Sequence, residues 1–172
     1  MRRVPLIVCT VLFFVGLASG VAAQEVEIPE VELDTKTHRT VEVVVVYLGR
    51  TDCAPCRTEE TKSAVRDIID RVGAAAAERN LPFHAVGAAL DDDWREGVAF
   101  LESTAEFDEV MAGGSWFNQA AMEHIFSVDG AVPGVPQLVI YTRATERRPR
   151  AVGVGPKNEL VRLVGGNRMR AW

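Results

Sequence analysis

Two cysteines two residues apart, in Asp52-Cys53-Ala54-Pro55-Cys56-Arg57, are the side chains of this sequence best suited to chemistry. A thiolate attacks disulfides, and a second thiol at this spacing can close a small ring back onto the first. A mixed disulfide formed by Cys53 can therefore be resolved by Cys56 within the same molecule. Cys53 needs help to ionise, and the first turn of a helix, with its unpaired N–H groups and partial positive charge, would supply it. Pro55 suits such a turn, where its fixed φ and missing N–H are tolerated. The neighbouring charges oppose one another: Asp52 disfavours the thiolate, whereas Arg50 and Arg57 favour it, and the balance stays open. Two other readings remain beside the redox one. An inert bridge across so short a loop would stabilise little. A zinc site wants about four ligands, and beyond this pair the mature chain offers only His38, His84 and His124, at no suggestive spacing.

The elements that must position the pair are legible on both sides of it. Val41-Glu42-Val43-Val44-Val45-Val46-Tyr47 is β-branched and nearly uncharged, which predicts a strand buried on both faces. From Thr58 to Glu78 the apolar residues Val65, Ile68, Ile69, Val72 and Ala76 recur at three- and four-residue steps, which predicts a helix. The dithiol thus sits where a core strand hands over to a helix.

With 172 residues, 48% of them apolar, the chain is one domain's worth and can bury a real core. Met1-Arg2-Arg3, the apolar run Val4–Leu17 and the small residues Ala18–Ala23 have the three parts of a secretory signal, with cleavage expected after Ala23. The alternative is an uncleaved anchor, for which the apolar run is marginal in length. Cys9 would leave with that segment, as would Arg2 and Arg3 and no acid, taking the net charge from −5 to −7. So acidic a protein is a poor partner for nucleic acid or an anionic membrane. An exported chain whose two remaining cysteines form one Cys-x-x-Cys pair points to a working site rather than a disulfide framework, in a periplasmic or otherwise extracytoplasmic location.

Residues 24–40 read as an acidic leader or an edge strand interrupted by Pro29. Phe83–Leu90 is a second core strand, parallel to the first, and Asn80-Leu81-Pro82 ends the helix before it. Asp91-Asp92-Asp93 reads as the acidic start of a helix rather than a cation site. Residues 94–126 are expected to be mostly helical, with Trp94, Val98 and Leu101 making one apolar face, Phe107–Met111 ambiguous, and Phe117, Ala121, Ile125 and Phe126 inward on a later helix. Trp116 and Asn118 could contact a substrate, although a packed tryptophan is the blander reading. His124 falls on the more polar side of that helix, and His84 within the second strand; neither is enlisted in chemistry. Pro136 opens a third strand. Thr142–Pro149 reads as a charged hairpin loop, Ala151–Gly155 as a fourth strand, and Pro156–Val164 as a last helix with Leu160, Leu163 and Val164 inward.

This order of elements resembles the thioredoxin fold over roughly Val41 to Val164. Cys53-Ala54-Pro55-Cys56 is similar to the family's Cys-x-Pro-Cys motif, Gly134-Val135-Pro136 to its cis-proline loop, and Val152-Gly153-Val154 to its glycine-containing last strand. The resemblance implies an α/β three-layer domain over residues 41–172, with a mixed sheet of about four strands and a helical insertion at 92–128 before the cis-proline strand. It implies thiol–disulfide exchange with Cys53 attacking and Cys56 resolving, supported by Ala54, Pro55 and Arg57. A cis Val135–Pro136 peptide would lie beside the sulfurs, and the backbone of Val135 would pair with an extended client. No metal or cofactor is implied beyond the Cys53–Cys56 disulfide; the partners are cysteine-containing client proteins and a redox donor, with a membrane only if the N-terminal segment stays attached. Two departures stand out: Asp52 replaces the usual tryptophan, and Tyr47 the buried acid common six residues before the first cysteine. The group handling the Cys56 proton is therefore unassigned. A thioredoxin-fold binding module with little catalysis is the alternative.

Overall fold

A computed structural model describes residues 39–148 and 151–172, so the expected signal segment, Cys9, His38 and all but the last two residues of the leader lie outside the described residues. The first strand, β1 (Arg39–Gly49), is followed by a tight turn of 3-10 helix (Ala54–Arg57) and α1 (Glu59–Glu78). Then come β2 (Phe83–Ala89), α2 (Trp94–Glu102), β3 (Glu109–Ala112), a second 3-10 turn (Ser115–Phe117) and α3 (Gln119–Ala121), which runs into a π-helical turn (Met122–Phe126). A long hairpin of β4 (Gln137–Arg148) and β5 (Ala151–Val164) and the short α4 (Gly166–Ala171) complete the chain.

The sheet has five strands in the order β3-β2-β1-β4-β5, in which β3, β2 and β1 pair in parallel and β4 pairs antiparallel with both β1 and β5. β1 is central because it can be buried on both sides. Val43, Val45 and Tyr47 pack against α1, the end of α2 and α4, while Val44, Val46 and Leu48 pack against α3 and its π turn. Toward its start, apolar pairs give way to polar cross-strand ones: Thr40 and Thr145 share a hydroxyl hydrogen bond of 2.8 Å, and Arg143 ion-pairs with the buried Glu42. These pairs let β4 continue as strand where a charged loop is expected at 142–149.

Three other expectations are corrected. The sheet has a fifth strand, β3, inside the stretch 92–128, which is therefore not wholly helical. Pro156–Val164 belongs to β5, not to a helix. Pro156 is tolerated there because β5 is an edge strand and its register against β4 slips between Arg143 and Thr145; a second slip leaves Leu160 between the paired Glu159 and Val161. The bulge lets Leu160, Val161 and Leu163 all pack on the core, a spacing that mimics a helix. Finally, Trp94, Phe117 and Phe126 point outward, and α2 buries Gly97 and Phe100 together with the expected Leu101.

Glycine at 87 is dictated by packing. A Cβ added there would lie 2.7 Å from the Phe107 ring, which stacks on Tyr47 with ring centroids 6.3 Å apart. Gly87→Ala is expected to destabilise the protein by about 1–3 kcal/mol through overpacking, read as a lower urea midpoint at constant m. An unchanged midpoint would mean that Phe107 has room to swing aside.

Candidate active site

The parallel strands β1, β2 and β3 end at one edge of the sheet, and β4 begins there. At such an edge the loops converge, and in α/β sheets this is where sites form. The loop leaving β1 is pinned before it reaches the cysteines. Asp91, buried at the end of β2, accepts the Thr51 backbone N–H at 2.9 Å and the Thr51 hydroxyl at 2.5 Å. Asp93 caps α2 by accepting the Arg95 N–H at 2.8 Å. The aspartates thus hold backbone, and no group of three metal-ligating side chains occurs among the described residues.

Cys53 and Cys56 are joined as a disulfide. Their surroundings differ. Cys53 is partly exposed, whereas Cys56 is 0% exposed and part of the core against α1. Cys53 caps the 3-10 turn, and its Sγ accepts the Cys56 N–H at 3.2 Å, the type of bond that favours a thiolate once the bridge opens. Pro55 lies in the first turn of that short helix. α1 itself starts at Glu59, with Thr58 extended as its cap and the Thr58 hydroxyl accepting the Thr61 N–H at 3.2 Å. The helix runs as the periodicity from Thr58 predicts, but the cysteines lie in the short turn before it rather than in its first turn. The end of α1 is therefore not directly at Cys53, and its first turn carries Glu59 and Glu60. Arg50 grips Asp52 with two bonds of 2.8 and 3.0 Å, so the acid next to Cys53 is neutralised by its own neighbour. Arg57, in the last position of the short turn, is exposed.

The peptide between Val135 and Pro136 is cis, and the Val135 carbonyl oxygen lies 3.5 Å from Cys53 Sγ. Residues 53, 56, 135 and 136 are thereby brought together. The fold is thioredoxin-like. That assignment rests on the chain's own sheet order, on the Cys-x-x-Cys pair after the central strand and on the cis-proline facing it. No family model and no curated protein sequence matches the chain. Among solved structures it is similar to a Chlorobium tepidum protein described, provisionally, as the thiol:disulfide interchange protein DsbE. The likeness has 21% identity and a TM-score of 0.41, over 76% of this chain and 70% of that one.

In this thioredoxin-like frame Tyr47 occupies the core beneath the dithiol. Its ring is fully buried between Phe100 and Phe107, and its Oη has no hydrogen-bond partner among the described residues. Burial pushes the phenol well above its ordinary range, so at neutral pH it stays protonated and cannot take a proton from Cys56.

Other sequence candidates are structural. Asn118 is buried, accepts the Ala120 N–H and donates to the Gly113 carbonyl, both at 2.9 Å, while the half-buried Trp116 packs edge-on against Phe126. His84, half exposed on β2, lies 3.6 Å from Glu42. His124 overturns its expectation: it is 5% exposed, with its ring 5.6 Å from that of Tyr141. The π turn shifts the helical phase, so His124 and Ile125 both face inward. Thr51 and Asp91, which pin the loop before Cys53, have roles that sequence reasoning missed. Only Asp91 carried a signal, as an acid immediately after a strand at the site edge.

Proposed function

We propose that this chain is an extracytoplasmic thiol–disulfide oxidoreductase that reduces or exchanges disulfides in client proteins. The observation that carries the reading is the asymmetric dithiol: an accessible Cys53 beside the Val135 carbonyl, and a fully buried Cys56 behind it. In the reducing direction the Cys53 thiolate attacks one sulfur of a client disulfide. A Cys53–client bond forms, the client S–S bond breaks, and the departing client thiolate takes a proton from solvent. Cys56, once deprotonated, attacks Cys53 Sγ, and the second client thiolate leaves. The client gains two electrons and the protein ends as the Cys53–Cys56 disulfide. A thiol donor must then re-reduce the pair.

The signal-like pattern of residues 1–23 in the sequence supports the extracytoplasmic reading, and no helix among the described residues is long and apolar enough to cross a membrane. Proline before the second cysteine resembles the reducing members of the thioredoxin-like family more than the oxidising ones, which supports the reducing direction. Equilibration with glutathione should give a potential well below the about −120 mV of a strong oxidant. In the same preparation, alkylation against pH should reveal one thiol titrating below about 8.5. Two ordinary thiols would favour a binding module, a reading helped by the separation of Cys53 from the first turn of α1 and by the engagement of Arg50 by Asp52.

A further inference from the structure

Gln137 is the first residue of β4, directly after Pro136, and it is 0% exposed. A polar side chain in that position is destabilising unless every group finds a partner. Its Nε2 donates to the carbonyls of Val132 and Gly134, both at 2.6 Å. Its Oε1 accepts from Arg162 Nη1 at 3.0 Å. Chemistry fixes this orientation of the amide, because a guanidinium only donates and carbonyls only accept. Arg162, on β5, is itself anchored: Nη1 also donates to the His124 carbonyl at 2.8 Å, and Nε and Nη2 hold the Glu159 carboxylate at 2.9 and 2.5 Å. From the other side the Gly165 N–H donates to the Pro136 carbonyl at 2.8 Å.

The segment held by this network belongs to no helix or strand, and Val132 within it is exposed. Yet it delivers Val135, whose carbonyl lies 3.5 Å from the sulfur of Cys53. An aliphatic residue at 137 would fill the same core volume. What only an amide supplies is two donors for the segment together with an acceptor for Arg162.

We infer that Gln137 and Arg162 are positioning residues. They hold residues 132–135 as a fixed edge on which an extended, cysteine-containing client chain lies while its disulfide meets Cys53. The inference rests on the exchange reading above. It predicts that the pair matters for disulfides embedded in peptide chain, which need the edge, and not for small disulfides, which need only the sulfur.

The test is Gln137→Glu in the reduced full-length protein, with unaltered protein alongside. The substitution preserves volume and the acceptor for Arg162, but sets a carboxylate oxygen against two carbonyl oxygens. Second-order rate constants would be measured for a cystine-bridged peptide and for dithiobis(nitrobenzoate), with the pH profile of Cys53 alkylation as a third readout. The peptide rate is expected to fall about tenfold or more, while the small-disulfide rate and the alkylation profile stay unchanged. Equal loss on both substrates, or no loss on the peptide, would overturn the positioning role. Should Gln137→Glu not fold, the partly exposed Arg162→Gln is read the same way: selective loss on the peptide supports the role, and unselective or absent loss overturns it. Failure of the unaltered protein to react with either disulfide would remove the exchange reading itself, and the positioning role with it.

Discussion

Replacing Cys56 with Ala should turn a passing intermediate into a product that can be isolated. Cys53 would still attack a client disulfide, but no second sulfur could displace the client. Adducts should then accumulate as bands on a non-reducing gel and disappear on adding dithiothreitol. The complementary change, Cys53→Ala, should form no adducts and lower exchange by at least about 10³-fold, as removal of a nucleophile does. The asymmetry follows from burial: Cys56 is sealed in the core against α1, so it cannot substitute for its partner. Mass spectrometry of the trapped species, recovered from the compartment in which the protein resides, would also identify the clients. Adducts forming through Cys56 in the Cys53→Ala protein would invert the assignment of the two sulfurs.

Stability should fall as the solution is acidified from neutrality, well before the carboxylates titrate. His124 is buried in the π turn against Tyr141, and burial, followed by repulsion from Lys157, lowers its pKa from 6.5 to about 4. Above pH 7 it is neutral in both folded and unfolded chains and contributes little pH dependence. Between pH 6.5 and about 4 the unfolded chain takes up a proton that the folded one refuses, so unfolding becomes easier with each step down. The loss should reach about 3 kcal/mol and level off below pH 4. Nearby Glu123 is opposed by burial, but its hydrogen bond to Lys157 and the Lys157 charge lower its pKa overall, so its contribution begins to be lost only as pH falls into the ordinary carboxylate range and goes on being lost below it. Urea unfolding of the oxidised protein at pH 7, 5.5 and 4 would show the slope, and His124→Gln should flatten it. A slope that survives this substitution would place the responsible group elsewhere.

Those two expectations draw on different layers of information. The dithiol is legible because its signals are local. A β-branched run, two cysteines around a proline and an amphipathic helix follow one another directly, and Gly134-Val135-Pro136 announces a break before a strand. His124 was not, since assigning its side of the helix assumed 3.6 residues per turn, and the π turn Met122–Phe126 breaks that phase. β3, four residues long, is too short to show a period. In β5 the slip at Leu160 produces a spacing of apolar residues that a helix would also give, and Pro156, read as opening that helix, is instead accommodated at an irregular sheet edge. Gln137 and Arg162 lie 25 positions apart and meet only because β4 and β5 pair.

The sealed position of Cys56 also dictates an order of events. If only one sulfur can be touched from outside, the thiol donor and the oxidised client must both arrive at Cys53, and neither can be seated while the other remains. Steady-state measurements varying both reactants should then give parallel double-reciprocal lines, the mark of two half-reactions that never share a ternary complex.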